Sequence, residues 1–276
     1  MTRRLPRLLT TWLVFGYAFL YVPIVILVIF SFNESRLVTV WAGFSTKWYG
    51  ELLRDRQMLE AAWMSLKIAF FTATAATMLG TLAGLIMARF GRFRGHNLFA
   101  GLITAPLVMP DVIIGLSLLL LFVSMEQLVG WPAGRGMTTI WIAHTTFSSA
   151  YVAIVIASRL RETDDSVEEA AMDLGARPMQ VFFVITLPII APALLSGWLL
   201  AFTLSLDDLV IASFVSGPGS TTLPMVVFSS VRLGVSPKIN ALATIILLVV
   251  SIGIMIAGWL LARMEHKRRS MQVDSS

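Results

Sequence analysis

The sequence has no cysteine in its 276 residues. That excludes a disulfide framework, a thiolate nucleophile and any thiolate-ligated zinc or iron–sulfur centre. Histidine is almost as scarce. His96, His144 and His266 lie on separate segments, so no His-based metal site is expected. Charge is also short, since Asp, Glu, Lys and Arg make up 13% of the chain. A soluble domain carries about 25%. Too few charges remain to cover a water-facing surface, which excludes an ordinary soluble enzyme, a disordered chain and a coiled coil. The phosphate-cradling G-x-x-x-x-G-K-[ST], the H-E-x-x-H metal helix and the G-x-S-x-G elbow are all missing. No pair of a nucleophile and a nearby base can be read from the sequence, and no metal or cofactor is expected.

What the chain has in excess is apolar residues, at 57% of the total with a mean hydropathy of +0.82. A membrane-crossing helix needs about 20 such residues. Six candidate spans fit, at 9–31, 63–88, 97–123, 137–158, 186–214 and 239–262. The first is too long for a cleaved signal peptide and has no small-x-small site after it, so it reads as a retained anchor that Pro23 should kink. The net charge of +5 could point to nucleic acid. Its distribution points to a bilayer instead. Thirteen of the 21 Lys and Arg residues fall in the two termini and the 2–3 and 4–5 loops, against seven in the opposite loops. By the positive-inside rule both termini are cytoplasmic.

On the outer side, segment 32–62 carries Trp41, Trp48 and Tyr49. These are expected as an aromatic belt at the headgroup level, with a surface for an extracytoplasmic partner as the alternative. A second outer segment opens with Gly217-Pro218-Gly219 and should form a short helix from Leu223, with Pro224 in its first turn. Gly80 and Gly84 have the G-x-x-x-G spacing of closely packed helices. The methionines, Met109 included, read as core filler.

The most specific signal is Glu169-Ala170-Ala171-Met172-Asp173-Leu174-Gly175, followed by Ile185-Thr186-Leu187-Pro188. Ser166 and Glu169 have capping-box spacing, which predicts a helix from Val167. The alanine pair keeps it thin. Gly175 suits the left-handed position that ends it, and Pro178 the first turn of the next helix. Phe182 and Phe183 should pin that helix to the bundle.

Asp111, Asp207 and Asp208 fall inside candidate spans, where a charge costs about 2.5–3.5 kcal/mol. Counted along unbroken helices, they lie roughly 21 and 28 Å from the inner ends of their spans, in the outer half of the membrane. Such acids suit a cationic solute. Asp111, after Pro110, could equally cap a half-helix. Asp207 and Asp208 point about 100° apart, so only one can face a narrow pore. Trp141, His144, Phe147 and Tyr151 form an aromatic stripe that either packs the core or offers cation–π attraction. Trp141 is the candidate on the substrate path.

The stretch from Glu169 to Pro188 resembles, without a gap, the E-A-A-x-x-x-G-x(9)-I-x-L-P loop of permeases from bacterial binding-protein-dependent ABC importers. Ala105–Asp111, Ser205–Asp208, Asn240–Thr244 and Phe44–Tyr49 look like the polyamine branch of that family, putrescine permeases first and spermidine permeases next. The resemblance implies an all-α membrane protein of six transmembrane helices with the type I, MetI-like importer permease fold. It implies an N-terminal helix and periplasmic segment over 1–62, a permease core over 63–262 with the coupling loop at 159–188, and a cytoplasmic tail over 263–276. It assigns the ATPase contact to Glu169, Ala170, Ala171, Gly175 and Pro188. It also implies partners: a second homologous permease, two copies of an ABC ATPase, a periplasmic polyamine-binding protein, the polyamine and the lipid bilayer. Nucleic acid is not among them. The chain would catalyse no reaction and would sit in the bacterial inner membrane. The alternatives are a same-family importer for spermidine or another cationic solute, and a secondary cation transporter. An intramembrane hydrolase is the weakest of the readings.

Overall fold

A computed structural model of the chain describes residues 7–37, 40–91, 93–233, 236–252 and 255. Among these the chain is helical, and strand pairing is reduced to a single isolated bridge between Asn33 and Phe44. In chain order the helices are α1 (Arg7–Ser31), α2 (Lys47–Arg54), α3 (Arg56–Arg89), α4 (His96–Val108), α5 (Asp111–Val129), α6 (Met137–Glu162), α7 (Ser166–Asp173) and α8 (Pro178–Val181). A π-helical turn, Phe182–Thr186, joins α8 to α9 (Leu187–Asp207), and α10 (Val210–Val215) and α11 (Leu223–Leu233) follow. The last described helix, α12, covers Pro237–Ile252.

Five of these stretches are long and apolar enough to cross a membrane: Leu8–Ser31, Arg56–Arg89, Asp111–Val129, Met137–Glu162 and Pro178–Asp207. The expected span 97–123 is broken in two at Met109-Pro110, because the proline and the restricted residue before it end α4. Depths counted along one unbroken helix therefore do not apply to Asp111. The expected span 186–214 stops at Asp207 instead, and its helix begins earlier, at Pro178. Of the expected span 239–262, the part beyond 252 lies, apart from residue 255, outside the described residues.

The chain divides into two compact units, Glu60–Val226 and a second that combines Met1–Leu59 with Val227–Ser276. In the first unit α6 is the axis. Of its apolar window 61% is buried, against 17% for α5 and 17% for Pro178–Asp207. Lipid tails are as apolar as leucine, so helices associate here through close packing rather than the hydrophobic effect. Val152 of α6 shows how. A Cβ on Gly80 of α3 would lie 2.6 Å from the Val152 Cβ, and one on Gly197 of α9 would lie 3.2 Å from its Cγ1. A Cβ on Gly84 would likewise lie 2.9 Å from the Ala153 carbonyl oxygen. The G-x-x-x-G expectation holds, and α9 adds a third glycine. Ile156, Leu160, Ile190 and Ala201 fill one half of this core, and Ile140, Phe147, Ile211 and Val215 the other.

In the second unit, α1 runs through Pro23 with none of its apolar window buried. After it the chain folds around Asn33. The Asn33 amide nitrogen donates to the Leu37 and Val40 carbonyls, and its oxygen accepts from the Ser35 and Ala42 N–H groups. The indole N–H of Trp48 donates to the Asn33 carbonyl at 2.7 Å, and the Tyr49 hydroxyl lies 2.7 Å from Ser31 Oγ. Trp48 is buried and Tyr49 half-buried, so the belt expected of Trp41, Trp48 and Tyr49 reduces to Trp41, which is exposed. These side chains found polar partners inside the fold rather than at its surface. The methionine expectation also fails in part: Met109, Met78, Met172 and Met179 are exposed. The helix expected from Leu223 is present as α11.

Candidate functional site

The segment after α6 is a helix–turn–helix unit, as its residues require, but its start differs from the expected capping box. Asp165 occupies the N-cap position and makes no side-chain cap bond. Asp164 accepts the Ser166 N–H at 3.0 Å, which holds the exposed Asp164 carboxyl below its ordinary range. An Asx turn thus starts α7 one residue early, and Ser166 joins the helix instead of capping it. The end is as expected. Gly175 has φ +89°, and a Schellman pair forms from the Gly175 N–H to the Met172 carbonyl and from the Ala176 N–H to the Ala171 carbonyl. Pro178 opens α8.

Beyond α8 the helix takes in Pro188, which has no N–H to donate. The π turn accommodates this: the Leu187 N–H reaches back five residues to the Phe182 carbonyl. The pinning expected of both phenylalanines is only partial, because Phe183 is exposed and Phe182 half-buried. Val181 and Thr186, both buried, are the anchors. Outward the unit shows Glu169, Ala170, Gly175 and Pro188, with Ala171 half-buried. Around them lie Val167, Met172, Met179 and Leu174, the last 90% exposed. Four exposed apolar side chains thus stand on one polar loop, more than scattered single exposure accounts for.

The inward side of α7 is held by charge. Arg89, the last residue of α3, donates to Asp165 and, at 3.3 Å, to Glu168 Oε1. The Thr186 hydroxyl donates to the same Glu168 oxygen at 3.0 Å. Sequence reasoning counted Arg89 only as one positive loop residue and missed this junction. The Glu168-Glu169 doublet was the available signal, since neighbours on a helix face different ways.

The acids part company at the end of α9. Asp207 is its last residue and is exposed. Asp208 leaves the helix and turns inward. Its carboxylate accepts the Ile211 and Ala212 N–H groups at 3.3 and 2.8 Å, capping α10, and lies 3.1 Å from His144 Nε2. His144 Nδ1 lies 2.7 Å from Ser205 Oγ. A carboxylate only accepts, so Nε2 donates to Asp208. Sequence reasoning did not see the contact of His144 with Ser205 because 61 positions separate the two residues. The clue was Ser205 three positions before Asp208, at the end of α9. The row is structural. His144 is 1% exposed, and both Asp208 oxygens are engaged by α10.

Asp111 opens α5 behind Pro110, which holds the N-cap position, and is exposed. Trp141 is half-buried, with an indole N–H that meets no partner. Among the described residues no hydrogen bond joins Asp111, Asp207 and Trp141, and no group of three or more acids and histidines is placed to hold a metal ion. Phe147 and Tyr151 pack edge to face at 5.1 Å within the core.

Residues 80–270 match the family described as Binding-protein-dependent transport system inner membrane component. The chain belongs to that family. This permease is 67% identical over 268 residues to the Putrescine transport system permease protein PotI of Escherichia coli (strain K12), covering 96% of this chain and 95% of that one. It is 43% identical over 251 residues to the Spermidine/putrescine transport system permease protein PotC of the same strain, covering 91% and 92%. Among solved structures it is similar to a bacterial ABC transporter involved in the import of the acidic polysaccharide alginate. That match has a TM-score of 0.69 at 17% identity and covers 91% of this chain and 93% of the other, a likeness of fold alone. The permease therefore has the type I importer fold expected from its sequence. It is an inner membrane component of an ABC transport system and not an enzyme.

Proposed function

We propose that this permease carries polyamine, putrescine before others, across the bacterial inner membrane as one of two homologous membrane-spanning subunits. The reading rests on the 67% identity to a putrescine permease along almost the whole chain. Two ATPase copies dock on the coupling loops of the two permeases, here the outward face of α7 and α8 with Glu169, Ala170, Ala171, Gly175 and Pro188. A periplasmic binding protein delivers the polyamine. Closure of the ATPases on ATP drives alternating access. The permease core runs over 63–262, between the N-terminal segment 1–62 and the tail 263–276, and both termini are cytoplasmic.

The open carboxylates, Asp111 and Asp207, are the acids that meet the ammonium groups, since desolvating a cation calls for fixed negative charge. Trp141 offers an aromatic face for the same cation. Asp208 serves by holding the break after α9 open, which leaves Asp207 at a helix end.

Uptake of labelled putrescine by cells lacking the permease, with and without its gene restored, tests this reading. Restored uptake that excess spermidine barely inhibits is the expected result. Strong inhibition by spermidine would move the assignment to a broader polyamine system, as the 43% identity to a spermidine/putrescine permease allows. No restoration, with an ATPase still copurifying, would overturn the substrate and keep the family.

A further inference from the structure

α7 meets α3 and α9 through Glu168, and Arg89 also reaches Asp165 at the α7 N-cap. Glu168 Oε1 receives the Arg89 guanidinium from the end of α3 at 3.3 Å and the Thr186 hydroxyl from the start of α9 at 3.0 Å. The three side chains are largely shielded. Those of Arg89 and Glu168 are 12% and 17% exposed, and Thr186 is 4% exposed. α3 and α9 are also the two helices whose glycines close on Val152 of α6. The junction thus links α7 to both helices that flank the axis. Its bonds are directional and charge-assisted, so they hold register where apolar contacts would slide.

We infer that Glu168 is the node through which movement of α7 enters the helix bundle, with Arg89 and Thr186 as positioning residues that pass it to α3 and α9. This divides the acidic doublet: Glu169 faces the ATPase, and Glu168 faces the transport helices. The inference rests on the ATP-driven reading above. It adds that docking and transmission are separable one residue apart.

The test uses the whole complex, the permease with its partner permease, ATPase and binding protein, in lipid vesicles. Three quantities are read for each variant: ATPase copurification, ATP hydrolysis stimulated by loaded binding protein, and polyamine moved per ATP. Glu168→Gln, Arg89→Gln and Thr186→Val should keep the ATPase bound and hydrolysing, while transport per ATP falls at least about threefold. The exchange Arg89→Glu with Glu168→Arg, made together with Asp165→Asn because Arg89 also pairs with Asp165, should recover part of that loss. Glu169→Gln should instead weaken ATPase copurification.

Unchanged transport per ATP in all three variants would overturn the inference. So would loss of ATPase binding in step with transport, since that is what a merely structural junction predicts. Should a single variant fail to assemble, the charge exchange still decides, and failure to recover overturns the inference. A wild-type complex that moves no polyamine would sink the parent reading and not the node.

Discussion

Two polar junctions hold this permease where its helices break, and they are built to opposite plans. At the break after α9, Ser205, His144 and Asp208 are withdrawn from the surface and complete one another, with the N-terminus of α10 taking what is left of the carboxylate. At α7, Arg89, Glu168 and Thr186 clasp one side of a helix whose other side is crowded with exposed apolar groups. The first junction fixes a geometry within the chain. The second leaves a face unfinished, as a surface made to meet another protein requires. Burial separates the two kinds of service more cleanly than residue type, since each uses an acid, a cationic or potentially cationic partner and a hydroxyl.

The largest effect should come from breaking the buried junction. His144→Ala leaves Ser205 and Asp208 without their partner and opens a cavity, so it should cost about 3 kcal/mol, read as a drop in thermal unfolding temperature in detergent. A loss below about 1 kcal/mol would mean that α10 is held by its cap alone. Next is the packing between the junctions. Gly80→Ala should cost about 2 kcal/mol because its new Cβ meets the Val152 Cβ at 2.6 Å and its Cγ1 at 2.8 Å, and Val152→Ala in the same chain, which removes the Cγ1, should return part of it. No recovery in the double variant would put the clash on the Cβ and backbone of α6 rather than on the Val152 Cγ1.

The two adjacent aspartates sharpen the contrast further. Asp207→Asn should raise the KM for polyamine uptake about tenfold, one charge-assisted contact, with unfolding unchanged. Asp208→Asn should lower the unfolding temperature and leave KM near wild type. Equal behaviour of the two would erase the distinction between the open acid and the buried one. The smallest effect belongs to Asp164. Its pKa is depressed by the Ser166 N–H, so its stabilisation of the α7 start is present above the unfolded carboxyl range, about pH 4, and is lost as pH falls through the folded value. Protection of the Ser166 amide, its exchange rate corrected for the intrinsic pH dependence, should fall on acidification in wild type and lose that dependence in Asp164→Asn.

Much of this was legible in the residues. Apolar length placed four of the long helices, and the Glu169–Pro188 run marked the helix–turn–helix unit of α7 and α8. Local chemistry also carried through wherever one residue decides it alone, as Gly175 does at a left-handed C′ position. What stayed hidden depends on partners far off in sequence. Arg89 and Glu168 are 79 positions apart and His144 and Asp208 are 64, and neither pairing has a spacing rule. Boundaries failed at prolines for a related reason. Pro110 ended a helix that composition alone would have continued, whereas Pro188 was absorbed by a π turn that periodicity does not show.

Asn33 has one more consequence, for the birth of the molecule. Its amide is used up on four backbone groups between Ser35 and Ala42, and its carbonyl on Trp48. Contacts so near in sequence form at the fast end of folding. This knot can tie as soon as its residues leave the ribosome and translocon, before α6 has been made. The nascent chain then has a finished bead at the end of its first helix while the rest of the bundle is still being synthesised.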